Sequence, residues 1–230
     1  MSHDAPIPTL ACTTTDLTTM DYLDAYCHDT ALMHNTLIRT FNGIIARAMR
    51  IQPCEIPAFS VYVAAFCQTL RRHCEGESTI IFPRLALQAT LTGADNLAVL
   101  QKLERVEEWV LNATEAPEKA DPTELQASLE ILAPEFASNM HDQVKQISPT
   151  LLRPLISGPE LRALVDDDIM WIGQNSQMEY LLPFFFLHHD YTTNAHWPGL
   201  PAEAKVALPE LVGIHTESWL YASFKLDRMS

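Results

Sequence analysis

The chain has 230 residues, of which 47% are hydrophobic, so it is long enough and apolar enough to build a large buried core. Its formal net charge of -14 at pH 7 argues against nucleic acid or an anionic membrane surface as a partner. Glycine is scarce, with 7 residues, and no segment alternates as half-buried strands do. The sequence therefore predicts an all-α protein.

The first part of the chain predicts a tail, a short helix and two long helices. Residues 1–15 resemble a loose tail, and 16–30 a short helix. A long helix is expected over 31–51 and a second over 57–82. Their limits follow from prolines, which are favoured in the first turn of a helix and end a helix when they lie further along it.

Two more long helices are predicted over 95–113 and 121–148. The second of them opens with an N-cap aspartate, a first-turn proline and an acidic third position, in the sequence Asp121-Pro122-Thr123-Glu124. Four long helices with short links indicate an antiparallel four-helix bundle over 31–150. We expect residues 1–30 to precede it. A helical C-terminal extension, 151–230, then packs on it, with helices over 161–180 and 208–224.

Two histidines and a glutamate interrupt the apolar faces of these helices. His73 and Glu77 continue a buried stripe whose members lie 4, 3, 4, 3 and 4 residues apart, namely Phe59, Val63, Phe66, Leu70, His73 and Glu77. His34 lies on a similar stripe with Leu37 and Phe41. Because an unpaired buried carboxylate is costly, Glu77 needs a cation, a proton or a hydrogen-bond partner.

Two readings of this polar group remain open from the residues alone. Two histidines and a carboxylate are the ligand set of mononuclear non-haem Fe(II) sites, so His34, His73 and Glu77 are candidate metal ligands. The structural alternative is a helix-internal hydrogen bond between His73 and Glu77, with His34 a satisfied core histidine.

Four further polar residues are candidates for catalysis. Asn139 and Gln143 end a buried stripe of the fourth long helix, where they bond to each other, to His73 or to a ligand. His189 is followed by Asp190, which would orient the imidazole for acid–base chemistry, although this pair would equally cap the preceding helix.

The cysteines and the apolar segments predict a cytoplasmic protein without a membrane partner. The five cysteines are odd in number and lack paired zinc-type spacing, so we expect reduced thiols. Residues 1–15 lack the features of a signal peptide. The longest apolar run, Leu181 to Leu187, is too short to span a bilayer.

Several short motifs together resemble the hemerythrin-like (HHE cation-binding) superfamily, particularly its fungal members. The resemblance covers about residues 30 to 225. It rests on Met33-His34-Asn35-Thr36-Leu37, His73-x-x-x-Glu77, Ile81-Phe82-Pro83, Leu182-Pro183-Phe184, His189-Asp190, Trp197-Pro198 and Trp219. It implies a four-helix bundle around a di-iron centre, in which His34, His73 and Glu77 hold one iron.

The second iron of that family lacks its ligands in this chain. The family places two histidines four residues apart on the third helix, and a histidine and an acid on the fourth. Here Asn96 and Leu100 stand at the first pair of positions, and Asn139 and Gln143 at the second; His141 lies two residues off this face. Neutral amides are poor iron ligands, so the resemblance implies a single Fe(II) ion or no metal.

Three functions remain open at this point. The first is an enzyme of fungal-type specialised metabolism that acts on a small apolar substrate in the bundle cavity, using one non-haem metal for oxygenation or Lewis-acid chemistry. The second is a metal-independent cyclase or pericyclase, of Diels–Alder type, in which Asn139, Gln143 or a histidine polarises the substrate. The third is a non-catalytic iron or ligand sensor.

Overall fold

The computed structural model describes residues 6–85 and 96–224, and within these ranges it contains helices and no β-strand. The predicted all-α class is confirmed. No helix in the described ranges is both long enough and apolar enough to cross a membrane. The α-helices are α1 (Tyr22–Ala48), α2 (Ile56–Gly76), α3 (Phe82–Leu85), α4 (Asn96–Glu115), α5 (Pro122–Gln146), α6 (Pro149–Leu152), α7 (Gly158–Asn175), α8 (Met178–His188) and α9 (Ala202–Ile214).

Helix α1 is one continuous helix where the sequence predicted two. Its N-cap is Asp21, whose side chain accepts a hydrogen bond from the Leu23 backbone N–H at 3.1 Å. Neither proline nor glycine interrupts the chain between Tyr22 and Phe41, so nothing breaks the helix near residue 30. The prediction of a separate short helix over 16–30 is therefore wrong; only Leu17–Thr19 forms a 3-10 turn before α1.

Helix α2 passes into a π-helical turn, Glu77–Ile81, and then into α3. The sequence predicted a regular helix that ends before Pro83. In a regular α-helix the ring of Pro83 would collide with the carbonyl of Thr79, four residues earlier. The wider π-turn contains Thr79 and separates the two groups, so the chain continues helically through Pro83.

The predicted third and fourth long helices are confirmed as α4 and α5. The predicted start of α4 at Asp95 lies outside the described residues. Asp121 caps α5 by accepting a hydrogen bond from the Thr123 N–H at 2.8 Å, as its sequence indicated.

The helices of the C-terminal region are shifted from their predicted positions. Ser157 and Glu160 form a capping box that starts α7, and this helix ends at Asn175 rather than at residue 180. Helix α9 begins at Ala202 and contains Pro209, so the prediction of a helix over 208–224 is wrong in both limits. A 3-10 turn, Ser218–Tyr221, follows it.

The described part of the N-terminal tail, residues 6–15, is tied to α1 rather than loose. The side chain of Asn42 exchanges two hydrogen bonds with the backbone of Ile7, at 2.9 and 2.8 Å. Asn35 does the same with the backbone of Leu10, at 2.7 and 3.0 Å. Two asparagines two helical turns apart therefore hold the tail in an extended conformation along α1.

The long helices enclose the main core. Helix α2 packs on α4, α4 on α5, and α5 on α1. Phe41 stacks on Phe136 with ring centroids 4.8 Å apart, and Phe66 contacts both rings. Helix α7 covers one end of this core, where it contacts α1, α2 and the π-turn.

Candidate metal centre

His34 of α1 and His73 of α2 meet inside the protein. The Nε2 atoms of the two imidazoles lie 2.9 Å apart, and the rings are nearly perpendicular, at 80°. His34 is fully buried and His73 is 6% exposed. Together with Glu77 they form a group whose ligand atoms all lie within 4.8 Å of one another. The three predicted metal ligands are therefore brought together.

The backbone of α5 fixes the tautomer of His34. Its Nδ1 lies 2.7 Å from the carbonyl oxygen of Met140, which can only accept a hydrogen bond. Nδ1 therefore carries the proton, and the lone pair of Nε2 points toward His73. A carbonyl partner on the second ring nitrogen is the usual support of a metal-binding histidine. In the metal-free protein His73 must donate the proton that lies between the two Nε2 atoms.

The spacing of the ligand atoms fits a single metal ion. Two atoms bound at about 2.1 Å and at a right angle lie about 3.0 Å apart. The 2.9 Å between the two Nε2 atoms matches this value. Nε2 of His73 and Oε1 of Glu77 are 3.5 Å apart, which corresponds to a wider angle at the same bond length. These two distances therefore fit the two-histidine, one-carboxylate set, and all three ligand atoms lie within 4.8 Å of one another.

Side-chain amides hold both oxygens of the Glu77 carboxylate, which begins the π-turn. Gln143 donates to Oε1 from Nε2, and Asn96 donates to Oε2 at 3.2 Å. Asn96 also donates to the Cys74 carbonyl at 3.0 Å, and its own Oδ1 accepts from Asn139 at 2.8 Å. Asn139, Asn96 and Gln143 thus form a network of amide donors that ends on Glu77.

Two side-chain oxygens of this amide network lack a hydrogen-bond donor. Oδ1 of Asn139 and Oε1 of Gln143 are buried and have no partner among the described residues. Leaving a buried acceptor unpaired typically costs about 1–3 kcal/mol. These oxygens are therefore sites where a bound water, a substrate or a metal ligand would gain a hydrogen bond.

Burial changes the protonation of all three predicted ligands. Desolvation lowers the pKa of His34 to about 4 and that of His73 well below its ordinary value, so both imidazoles are neutral at pH 7. Desolvation also raises the pKa of Glu77 to about 8, although hydrogen bonds from Asn96 and Gln143 oppose this. Neutral imidazoles are ready to bind a metal, whereas Glu77 must lose a proton to do so.

The structure places His189 and Asp190 in a loop after α8. Nε2 of His189 lies 2.6 Å from the carbonyl oxygen of Asn194, and the ring packs against Trp197. Oδ1 of Asp190 accepts hydrogen bonds from the backbone and hydroxyl of Thr192. These contacts build the loop, and neither residue belongs to the group formed by His34, His73 and Glu77.

Two features of the site have no counterpart in the sequence predictions. One is the Met140 carbonyl, since a backbone acceptor leaves no mark in the sequence. The other is Asp168 of α7, a carboxylate close enough to Glu77 to raise its pKa. A groove of about 300 Å³ lies between α2 and α4, but none of the residues that line it belongs to the site; they are Ala64, Cys67, Gln68, Arg71, Arg72, Glu107 and Val110.

The chain was also compared with known proteins. No protein-family model, no curated protein and no solved structure matches it.

Proposed function

We propose that this protein binds one Fe(II) ion through His34, His73 and Glu77 and is an enzyme that acts on a small, largely apolar molecule. The observation that carries the proposal is the approach of the two Nε2 atoms to 2.9 Å, with the lone pair of His34 directed into the gap. Fe(II) is the metal that favours two histidines and one carboxylate with open positions.

We also propose that the fold is an antiparallel four-helix bundle of the hemerythrin-like kind. Support comes from two layers of side chains. Phe41 lies seven residues after His34, while Phe66 and Phe136 lie seven residues before His73 and Gln143. Because Phe41 contacts Phe66 and Phe136, while His34 contacts His73 and the Met140 carbonyl, α2 and α5 run opposite to α1.

In the proposed enzyme, each residue of the site would have a separate role. A bound Fe(II) ion supplies a Lewis acid and a redox centre. The Met140 carbonyl keeps the lone pair of His34 directed inward, and the amides of Asn96 and Gln143 keep the Glu77 carboxylate in place. The unpartnered oxygens of Asn139 and Gln143 would accept a hydrogen bond from a hydroxyl group or water.

The proposal of an apolar substrate is based on the layer of aromatic side chains near the ligands. Phe41, Phe66 and Phe136 lie two helical turns from the ligands and are all buried, so this layer of the core is aromatic. A molecule in contact with this layer would meet hydrocarbon and aromatic edges, and the amide oxygens of Asn139 and Gln143 would offer it polar contacts.

Metal titration tests the proposal. Metal-free protein is titrated anaerobically with Fe(II), and with Co(II) as a spectroscopic probe; we expect one ion per chain and a melting temperature that rises with metal concentration. His73→Ala and Glu77→Ala should lose this binding while keeping helical circular dichroism. His196→Ala is the matched control, since that histidine is exposed and lies far along the chain in the loop after α8.

The outcomes separate the open functions. Absence of binding after anaerobic reconstitution would reject the metal-dependent enzyme and leave the metal-independent cyclase, for which Asn139 and Gln143 carry the chemistry. Two irons per chain would show that Asn96, Asn139 and Gln143 do not stand at the positions of missing ligands. Metal binding without oxygen consumption or turnover of any apolar substrate would favour the sensor.

A further inference from the structure

Asp168 is a partly buried carboxylate that no described cation neutralises. It lies on α7, and its Oδ1 atom is buried without a hydrogen-bond partner. None of the ion pairs formed by the described residues includes it. Burial raises the pKa of Asp168 to about 7, with no opposing interaction. An acidic side chain in this condition destabilises the fold unless something else uses its charge.

The structure makes room for this carboxylate beside the metal centre. Oδ1 of Asp168 lies next to Gly76, in the space that the β-carbon of any other residue at position 76 would occupy. Gly76 directly precedes Glu77, and the charge of Asp168 contributes to the raised pKa of Glu77. Burial raises the pKa of Tyr26 on α1, and the charges of both carboxylates add to this rise.

The charges of the proposed site do not balance without Asp168. Two neutral imidazoles and one carboxylate leave a divalent ion with a residual charge of about +1, and burying an unbalanced charge is expensive. Among the described residues, Asp168 is the acidic group that acts on Glu77 and has no cation of its own. One further negative charge beside Gly76, the residue before Glu77, would make the loaded site neutral.

We propose that Asp168 is a positioning residue of the metal centre: it supplies the balancing negative charge for the bound ion, and its contact with Gly76 sets the position of the Glu77 turn. The inference rests on the proposed metal site. It assigns to α7 a direct part in metal affinity, although α7 contributes no ligand to the group of three.

The experiment compares two neighbouring aspartates. Asp168→Asn removes the charge with almost no change in volume, and Asp167→Asn makes the same change at the adjacent exposed position. We expect Asp168→Asn to weaken Co(II) and Fe(II) binding at least tenfold, the usual scale for residues that support metal ligands. Asp167→Asn should leave the affinity within twofold of the unaltered protein.

The melting temperature of the metal-free protein supplies a second readout with the opposite sign. Because a partly buried carboxylate without a cation is costly in the metal-free protein, Asp168→Asn should raise the melting temperature of the metal-free protein while it weakens metal binding. A residue with only a structural role would lower the melting temperature, or leave both quantities unchanged.

A second pair of variants tests the contact with Gly76. Gly76→Ala should weaken metal binding because the added methyl group displaces Asp168. The same substitution in an Asp168→Ala background should cause no further loss. Gly173→Ala is the control, since a methyl group there meets no atom within 4 Å.

The failure of this inference differs from the failure of the proposed function. If the unaltered protein binds one metal and Asp168→Asn binds it as tightly, Asp168 has no part in the site and the metal proposal stands. Equal weakening by Asp167→Asn and Asp168→Asn would also overturn the inference, because it would show a general effect of net charge. If the unaltered protein binds no metal, both proposals are overturned.

Discussion

Two regions of this protein bury histidines, and they do so in different ways. His188 of α8 has both ring nitrogens occupied by groups of the protein: Nδ1 lies 2.8 Å from the Phe184 carbonyl and Nε2 lies 2.9 Å from the hydroxyl of Tyr62. At the candidate metal centre, the Nε2 atoms of His34 and His73 face each other beside a carboxylate, and two amide oxygens nearby have no donor among the described residues.

The difference between His188 and His34 does not lie in their burial. His188 is fully buried, as is His34. Desolvation lowers the pKa of both imidazoles to about 4, so the pKa does not separate the two regions either. What separates them is the chemistry of the partners: Nε2 of His188 faces a tyrosine hydroxyl, whereas Nε2 of His34 faces the imidazole of His73. His73 in turn lies 3.5 Å from a carboxylate oxygen of Glu77, so two imidazoles and a carboxylate converge as a ligand set does.

Removing a ligand should produce the largest effect. We expect His73→Ala and Glu77→Ala each to weaken Fe(II) binding by more than about a hundredfold, because the loss of a ligand exceeds the tenfold to hundredfold loss seen for supporting residues. Competition with a coloured chelator measures the affinity, and circular dichroism checks the fold. Affinity that survives both substitutions would place the metal, and the chemistry, elsewhere.

Removing an amide that supports Glu77 should have a smaller effect of the same kind. Gln143→Leu keeps similar bulk but deletes the donor to Glu77, so we expect metal affinity to fall about tenfold to a hundredfold. The melting temperature of the metal-free protein should change little, since the substitution also removes the unpartnered Oε1. A large loss of stability with unchanged metal affinity would mean that the amide serves packing alone.

The complementary substitution is made at His188, away from the candidate metal centre. His188→Phe should lower the free energy of unfolding by about 2–3 kcal/mol, because it leaves the Tyr62 hydroxyl and the Phe184 carbonyl with fewer partners in the interior. Metal affinity should remain within twofold. Chemical denaturation gives the first quantity and chelator competition the second. If His188→Phe weakened metal binding as strongly as His73→Ala, the contrast between the two regions would fail.

The smallest expected effect is a pH dependence in the metal-free protein. The pKa of Glu77 is about 8, above its ordinary value, so near pH 7 the native protein holds a proton that the unfolded chain has released. Stability should therefore fall as pH rises from about 6.5 to 8, by at most about 1.4 kcal/mol per pH unit for this one group. The raised pKa of Asp168, about 7, adds a fall of the same sign up to about that pH. The pKa values of the buried histidines are lowered, so their titration makes stability rise with pH, but only below about pH 6.5.

Denaturant titrations at several pH values measure this slope. Glu77→Gln should flatten it, because the substituted side chain does not titrate, and saturating metal should flatten it as well. A slope that persists unchanged in Glu77→Gln would assign the titration to another group, of which Asp168, with a pKa of about 7, is the nearest candidate.

Sequence periodicity was sufficient to identify the three converging residues and the two amides. His73 and Glu77 continue an apolar stripe, and that stripe alone places them inside. The same spacing would have indicated Asp168, which lies seven, four and three residues after the buried Leu161, Leu164 and Val165. Its position within an acidic run gives it the appearance of a solvent-exposed residue.

Other parts of the structure have no comparable signal. The partner of His34 is a backbone carbonyl, and the continuity of α1 depends on the absence of a breaker rather than on any motif. The tail over 6–15 gains its order from Asn35 and Asn42, whose side chains pair with a backbone far along the chain. Such long-range pairings depend on the tertiary fold, which periodicity does not describe.

The π-turn at Glu77–Ile81 has a consequence for any alignment of this chain with a relative. A π-turn accommodates one residue more than an α-helical turn, so residues after it are displaced by one position from the register that α2 sets. A relative with an unbroken helix would need a one-residue gap between Glu77 and Phe82. Alignments that penalise gaps inside helices would pair the helical residues after this turn with the wrong neighbours, and Glu77, the candidate metal ligand, stands at the edge of that shift.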